Sequence, residues 1–304
     1  MSRVIAVMNQ KGGVGKTTTA VNLGAALSEK SYKVLLIDLD PSGNMTQWLS
    51  GEYSKEQIGL SELLESKNSF GEVYNKSEKL NLDFVPAGGN LGEIASESGL
   101  SLYTLKNRME HFSADYDFIL FDCPPSSDIL IGNALFAADS ILIPIQTEAL
   151  PLRAGARFLN WLEDFTGKNG NSINILGILP CMYDSRTRLS RIILETMKAS
   201  ENIGPLVFNT IIRKNVRLAE LSGQDKSIFK SASKSYGASD YIDLADEVIE
   251  RTGAKQPVAE IKQPEKIKSV NFAERDATEE DSGELVYQDS GSAEYVATEK
   301  EEKD

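Results

Sequence analysis

Histidine and cysteine are scarce in this 304-residue sequence. His111 is the single histidine, and the two cysteines, Cys123 and Cys181, lie far apart with no C-x-x-C spacing. One histidine excludes a histidine-rich metal site and argues against a Ser-His-Asp triad. The cysteine pattern predicts a reduced, cytosolic protein that has neither a zinc site nor a disulfide framework.

Long apolar runs are missing as well. No run reaches the roughly 18 residues that a membrane-spanning helix needs, and an apolar stretch begins directly after Met1-Ser2-Arg3. We therefore expect neither a signal peptide nor a membrane segment. Apolar residues still make up 41% of the chain, enough for a full core in one large domain or two small ones.

Positive charge is in deficit, with 32 Lys and Arg against 45 Asp and Glu and a net charge of −13. Residues 255–304 alone carry 14 acidic and 7 basic side chains, and their large apolar residues are scattered. We predict a domain over 1–253 and a disordered acidic tail over 254–304. The alternative for the tail is a partner-docking segment at Leu285-Val286-Tyr287. The acidic balance argues against wholesale nucleic-acid coating but not against a local basic patch.

Short apolar runs alternate with amphipathic stretches along the first 253 residues. The runs predict strands at 4–8, 33–38, 80–86, 117–122, 140–145, 174–180 and 205–212. Helices are predicted at 17–31, 59–65, 100–112, 129–137, 151–166, 186–199 and 240–251. This alternation indicates an α/β fold with a mainly parallel, doubly wound sheet that is covered on both sides.

A glycine-rich turn follows the first apolar run. Residues 9–19 read Asn-Gln-Lys-Gly-Gly-Val-Gly-Lys-Thr-Thr-Thr and lie between a predicted strand and a predicted helix. Glycines let the backbone approach an anion closely, and the amides and dipole of a helix N-terminus favour negative charge. The order predicts a phosphate-binding loop. Lys16 would supply a charge to the β- and γ-phosphates, and the Thr17 hydroxyl would ligate Mg²⁺.

Two further apolar runs end in aspartate. Asp38 ends one run and is followed by Asp40, and Asp122 ends another and is followed by Pro-Pro-Ser. The carboxyl ends of parallel strands form the edge where open α/β sheets bind ligands. One such aspartate is as often a helix cap, but two behind a phosphate loop favour a Mg²⁺ site. Asp122 would hold the ion through water.

The loop departs from the usual G-x-x-x-x-G-K-[ST] pattern, because Gln10 stands at the first glycine and Lys11 adds a second lysine. This K-G-G-x-G-K-[ST] form resembles the ParA/MinD branch of P-loop ATPases. Segments 36–44, 121–126 and 208–218 resemble further motifs of that family. The sequence is similar to ParA/Soj-like partitioning ATPases over about residues 3–250, and it resembles the short type because no helix-turn-helix segment precedes the loop.

The resemblance implies a P-loop NTPase that binds ATP and Mg²⁺ and hydrolyses ATP as a dimer with nucleotide between two subunits. In phosphoryl transfer, the protein mainly positions the reacting groups and neutralises the charge of the phosphates. Lys11 would contact phosphates across the dimer, Asp40 would position or activate the attacking water, and Asp38 and Asp122 would support Mg²⁺. Nucleotide binding within one subunit would fall to Gly12, Gly13, Val14, Gly15, Lys16, Thr17 and Thr18. Asn215 would contact adenine, although Arg213 replaces the family's usual proline nearby.

The resemblance also implies DNA binding without sequence preference. Arg186 and Arg217 match DNA-contacting arginines of the family, and Arg188, Arg191, Arg213 and Lys214 add positive charge nearby. Contacts of this kind go to phosphates and weaken with salt; the alternative is ordinary surface charge. A second hypothesis is that the acidic tail competes with DNA for this patch.

The implied cycle runs in the cytoplasm on the nucleoid. ATP drives homodimerisation, the dimer binds double-stranded DNA, and a ParB-like partner stimulates slow hydrolysis to segregate plasmid or chromosome DNA. The same machine can position a protein cargo through a cargo adaptor. A MinD-like membrane switch needs a basic amphipathic C-terminal helix, whereas this end is acidic. An iron protein-like reductase needs cluster-ligating cysteines, and a tyrosine kinase-like tail needs more tyrosines than Tyr287 and Tyr295.

Overall fold

A seven-stranded sheet forms the centre of the fold in the computed structural model, which describes residues 2–51, 54, 56–77, 80–96, 99–126, 128–147, 151–170, 173–221 and 226–256. The strands are β1 (Arg3–Val7), β2 (Val34–Asp38), β3 (Asn75–Ser77), β4 (Leu82–Val85), β5 (Phe118–Asp122), β6 (Ser140–Gln146) and β7 (Asn174–Cys181). Their order is β3-β4-β2-β5-β1-β6-β7. The pair β3–β4 is antiparallel and the other pairs are parallel.

Helices connect the strands. They are α1 (Lys16–Glu29), α2 (Asn44–Ser50), α3 (Leu60–Leu64), α4 (Phe70–Val73), α5 (Leu91–Ser96), α6 (Thr104–Met109), α7 (Asp128–Ala137), α8 (Pro151–Lys168), α9 (Arg188–Ala199), α10 (Val216–Glu220), α11 (Ile228–Ala232) and α12 (Tyr236–Thr252). Short 3₁₀ turns lie at Ser113–Asp115 and Gly204–Leu206. Within the described residues, no helix is long and apolar enough to cross a bilayer.

Two apolar layers enclose the sheet. Successive side chains of a strand point to opposite faces, so Ile5 and Val7 pack on one side of β1 and Val4 and Ala6 on the other. Helices α1 and α12 cover the first side, and α3, α6, α7 and α8 cover the second. Burial on both faces explains why the strands read as continuous apolar runs. The predicted doubly wound parallel sheet is confirmed.

The register of the three central strands places the carboxylates. Val7 at the end of β1 lies opposite Asp122 at the end of β5, and Asp122 lies opposite Asp38 at the end of β2. The loop after β1 therefore leaves the sheet at the same level as both aspartates. Sequence reasoning placed these groups at one edge, and the pairing of β5 between β1 and β2 brings them together.

The strand predicted at 205–212 is wrong. The chain there makes a 3₁₀ turn, and then Val207 meets Ile178 of β7 and Arg213 meets Tyr183 beyond β7, each through an isolated bridge. The amides of Asn209 and Thr210 donate to the Glu247 carboxylate of α12 at 2.9 and 2.8 Å. In a strand, such amides would donate to the carbonyls of a neighbouring strand. The apolar run at 205–212 correctly indicates buried residues, but it does not form a hydrogen-bonded β-strand.

The remaining differences are at element ends and in short elements. The edge strand β3 and the short helices α2, α4, α5, α10 and α11 were not predicted, because short segments carry little periodic signal. Helix α12 begins at Tyr236 rather than 240. It ends at Thr252, and the domain boundary after residue 253 stays a prediction. The acidic tail from residue 257 on, with the segment 285–287, lies outside the described residues.

Candidate phosphate-binding site

The turn between β1 and α1 has the backbone of an anion cradle. Gly13 and Gly15 have φ angles of +72° and +97°, a left-handed region that favours glycine. A Cβ built at Gly12, Gly13 or Gly15 would meet no atom within 4 Å, so the concave side of the turn is open. Gly15 precedes α1 without a side-chain cap. The first-turn amides are therefore placed to donate to an anion.

The other predicted loop residues divide between the cradle and the core. Val14 is buried, and the Thr18 carbonyl accepts a 2.9 Å bond from Asn22 Nδ2 within α1. Lys16 is only 7% exposed, and its Nζ donates to the Lys11 carbonyl at 3.4 Å. This bond folds the Lys16 side chain back over the loop, which is the placement that contact with bound phosphates requires.

Lys11 is held by two residues outside the predicted set. Its amide donates to Asn9 Oδ1 at 2.9 Å, and its Nζ donates to Gln146 Oε1 at 2.6 Å. Gln146 is the last residue of β6, and its Nε2 donates to the Gly13 carbonyl at 2.8 Å. A polar residue that ends an apolar strand beside a phosphate loop was the available signal for Gln146.

Asp122 is buried at the centre of the site with neither carboxylate oxygen hydrogen-bonded. Burial raises its pKa well above the usual range, the charge of Asp38 raises it further, and Thr17 and Lys16 oppose the rise. The Thr17 hydroxyl lies near enough to act on this pKa without meeting hydrogen-bond geometry. A buried carboxylate without a partner is costly, so Asp122 and Thr17 fit a hydrated Mg²⁺ ion.

Asp38 has the opposite surroundings. Its Oδ2 accepts from the Thr46 amide and hydroxyl at 2.8 and 2.6 Å, and its Oδ1 accepts from the Asp40 amide at 3.1 Å. Burial raises the pKa of Asp38 to about 7 against the effect of these bonds. Its oxygens fix the start of α2 and the turn at Asp40, so any support of Mg²⁺ by Asp38 would act through that turn. Sequence reasoning missed Thr46.

Asp40 lies at the rim of the site. It is half-buried, its Oδ1 accepts from the Ser42 amide at 2.9 Å, and its carbonyl accepts from the Gly43 amide at 2.9 Å. This turn presents the carboxylate beyond Asp38 towards solvent. Among the described residues, no three His, Cys, Asp or Glu side chains converge as a metal site. A metal here would need oxygen ligands from a bound phosphate and water.

Asn215, the predicted adenine contact, caps α10. Its Oδ1 accepts from the Arg217 amide at 2.9 Å. The neighbouring Arg213 donates from its amide and Nε to Asp240 of α12, both at 2.9 Å, and stacks on the Tyr236 ring. Arg213 is therefore committed to a buried carboxylate. Within the described part, the structure brings neither Asn215 nor Arg213 into hydrogen-bond contact with residues 9–19.

The two predicted DNA-contacting arginines are exposed, Arg186 at 85% and Arg217 at 69% of their side chains. The Arg186 guanidinium donates two hydrogen bonds to the Asp184 carboxylate, at 2.9 and 2.8 Å. These bonds lower the pKa of the Asp184 carboxyl to about 2. Arg217 pairs with Glu220 at 3.0 Å. Exposed ion pairs contribute little stability, so phosphate groups can replace the carboxylates at small cost. Arg188, Arg191 and Lys214 are exposed as well.

Comparisons with known proteins agree with this geometry. Residues 2–175 match a family model described as an AAA domain. The chain is 35% identical over 262 residues to the chromosome partitioning protein ParA of Caulobacter vibrioides, with 84% of this chain and 97% of the relative covered. It is 38% identical over 251 residues to the sporulation initiation inhibitor protein Soj of Bacillus subtilis, with 82% and 98% covered.

A solved structure has the same fold. Cobyrinic acid a,c-diamide synthase from Mycobacterium smegmatis, with bound ATP analogue and magnesium, matches at a TM-score of 0.68 and 32% identity. The match covers 85% of this chain and 99% of that one. It covers a larger share of the chain than the AAA-domain match over residues 2–175.

Proposed function

The chain belongs to the ParA/Soj family of P-loop ATPases, and from this membership we propose that it is an ATP-dependent dimerising switch that partitions DNA. The observation that carries the proposal is the open left-handed turn at Gly13 and Gly15 beside the buried, unpartnered carboxylate of Asp122. A structural turn has no need of a buried carboxyl group without a hydrogen-bond partner. A site for a phosphate chain and its cation needs both features.

The nucleotide-binding roles follow from the positions of the side chains. The amides of residues 12–18 cradle the phosphates, and Lys16 neutralises their charge. Thr17 and Asp122 would hold Mg²⁺. Mg²⁺ supplies further charge neutralisation when it is bound. Asn215 remains the proposed adenine contact, with Arg213 fixed beside it by Asp240.

The hydrolytic roles depend on the turn after β2. Asp38 holds the Asp40 amide, and Asp40 presents its carboxylate at the rim, where it orients the attacking water. Lys11 contacts the phosphates of the second subunit. Two subunits are then needed for each complete site, and this requirement links hydrolysis to dimerisation.

DNA binding and release complete the switch. Arg186 and Arg217, with the exposed basic residues near them, bind DNA phosphates in the ATP dimer on the nucleoid. A ParB-like partner then stimulates slow hydrolysis and returns the dimer to monomers, which segregates plasmid or chromosome DNA. The exposure of both arginines and their replaceable carboxylate partners support this part of the proposal.

Co-sedimentation with random duplex DNA tests the switch, with ATP, with ADP and without nucleotide. We expect binding with ATP alone, and loss of that binding in Lys11→Ala, which should still bind nucleotide but fail to dimerise and hydrolyse. Binding that ignores the nucleotide would contradict the proposal. Binding to anionic liposomes instead would favour a MinD-like membrane switch. A protein cargo on the nucleoid gives the same DNA result and is separated from DNA partition by identifying the stimulating partner.

A further inference from the structure

We propose that Gln146 is a positioning residue that holds Lys11 against its own subunit, and that Lys11 must leave Gln146 to reach the nucleotide of a second copy. The inference rests on the proposed function, because it assumes that Lys11 acts across a dimer. Its basis is the 2.6 Å bond from Lys11 Nζ to Gln146 Oε1. This bond ties the cation to β6 of the same chain.

The orientation of the Gln146 amide is fixed by a second bond. Its Nε2 donates to the Gly13 carbonyl at 2.8 Å while its Oε1 accepts from Lys11. Reversing the amide would set two donors against each other at Lys11 and two acceptors at Gly13. Gln146 therefore contacts the loop at both Lys11 and Gly13, and the bond to Gly13 keeps its Oε1 acceptor facing Lys11.

The Lys11 backbone is anchored separately from its side chain. The Lys11 amide donates to Asn9 Oδ1 at 2.9 Å, and the Asn9 side chain donates to the Pro144 carbonyl of β6 at 2.9 Å. The Lys11 ammonium can then move on its four-carbon stem about a fixed Cα. Release from Gln146 requires no change in the loop backbone that holds the phosphates.

The neutral amide suits a hold that must be released. A hydrogen bond between a charged and a neutral group is of moderate strength, and phosphate oxygens replace it with charged acceptors. A glutamate at position 146 would form an ion pair with Lys11 and hold it more firmly. A leucine would offer no acceptor. The two substitutions therefore change the hold on Lys11 in opposite directions.

The test compares Gln146→Glu with Gln146→Leu in the full chain. Both variants lose the Nε2 donor to Gly13, so the difference between them reports the acceptor facing Lys11. Light scattering measures the ATP concentration at half-maximal dimerisation. We expect Gln146→Leu to lower it about tenfold and Gln146→Glu to raise it about tenfold relative to the wild type. Shifts in the same direction, or no shift, would overturn the proposal, since loop damage moves both variants alike.

Two controls separate folding and function from the hold itself. Affinity for a fluorescent ADP analogue should stay within about threefold in each variant if the loop is intact. If Gln146→Glu does not fold, Gln146→Asn replaces it: the shorter arm cannot reach Lys11, so this variant should behave like Gln146→Leu, and wild-type behaviour would overturn the proposal.

The nitrogen resonance of the Lys11 ammonium in the ADP-bound protein gives a readout that does not need a dimer. Slow proton exchange is expected in the wild type and fast exchange in Gln146→Leu. Fast proton exchange of the Lys11 ammonium in the wild type would overturn the inference that Gln146 holds Lys11. A slow signal without ATP-dependent dimerisation would instead contradict the proposed function and leave Gln146 as a cis contact only.

Discussion

The phosphate loop and the seam between α12 and residues 206–213 both bury carboxylates, but they treat them differently. In the seam, Glu247 accepts from the Asn209 and Thr210 amides, the Thr210 hydroxyl and Arg251, and Asp240 accepts from Arg213. At the loop, both oxygens of Asp122 lack a partner. The seam uses its charges to close the fold, whereas the loop keeps a carboxyl group that only an external ligand satisfies.

Arg251 shows how complete the seam is. Its guanidinium donates to the carbonyls of Leu176, Leu206 and Val207 and to Glu247, and it stacks on the Phe208 ring at 3.9 Å. These bonds add to the backbone bonds that Phe208 and Ile212 donate to β7, which are too few to make the predicted strand. Because each of these buried donors has an acceptor, we expect substitutions here to change stability, and substitutions at the loop to change chemistry.

The largest expected effect comes from Arg251→Met, which keeps most of the apolar stem and removes the guanidinium. Breaking a buried ion pair from one side costs about 3–5 kcal/mol, and both partners here are mostly buried. Urea unfolding should show a loss of about 3 kcal/mol or more. Lys30→Met is the control, since the Lys30–Asp246 pair, which also involves α12, is more exposed and should cost under about 1 kcal/mol. Equal losses in the two variants would remove the distinction between seam and surface.

Asp122→Asn should give the reverse result. We expect Mg²⁺-dependent phosphate release to fall by about 100-fold, because the amide cannot replace a carboxylate beside the ion. Stability should not fall, since the buried carboxyl group that is replaced has no hydrogen-bond partner in the fold. Asp240→Asn is the matched control: it weakens a partnered carboxylate in the seam, so stability should fall while the hydrolysis rate per folded molecule is retained. A melting temperature that fell in Asp122→Asn would show that its carboxylate has a structural partner.

The same contrast explains what sequence reasoning could reach. The glycine turn, Lys16 and Asp122 follow from local order, because strand, loop and strand end fix their chemistry within a few residues. Glu247 and Arg251 lie on an amphipathic helix, where charges usually indicate a solvated face. Their partners outside the helix lie 37 to 75 residues earlier in the chain, and no local pattern marks them.

Gln146 was missed because its partners Lys11 and Gly13 lie 135 and 133 residues away, although its place at the end of an apolar strand was a signal. Thr46 lies only eight residues after Asp38, but its residue type alone does not mark it as a partner. The apolar run at 205–212 indicated burial and was wrongly predicted as a strand.

The two regions should also respond to pH in opposite directions. Asp38 has a pKa raised to about 7 by burial, so its contribution to stability is fully present below its unfolded pKa and is lost as pH rises towards 7. Burial would raise the pKa of Glu247, but bonds from Thr210, Asn209 and Arg251 outweigh it and lower that pKa. Its contribution is present above the unfolded pKa and is lost as pH falls. Urea unfolding of Asp38→Asn at pH 5 and pH 7.5 should show a smaller loss with rising pH than the wild type.

The smallest effect is expected at the exposed arginines, which belong to neither region. Arg186→Ala and Arg217→Ala should each weaken ATP-dependent binding to duplex DNA by a few-fold and leave thermal stability unchanged, because their ion pairs are exposed. The slope of log affinity against log salt should fall by about one for each DNA phosphate that is no longer bound. Lys76→Ala is the control, since Lys76 is exposed on β3 at the opposite edge of the sheet from β7. Equal effects of Lys76 and the arginines would mean that DNA responds to net charge rather than to a defined surface.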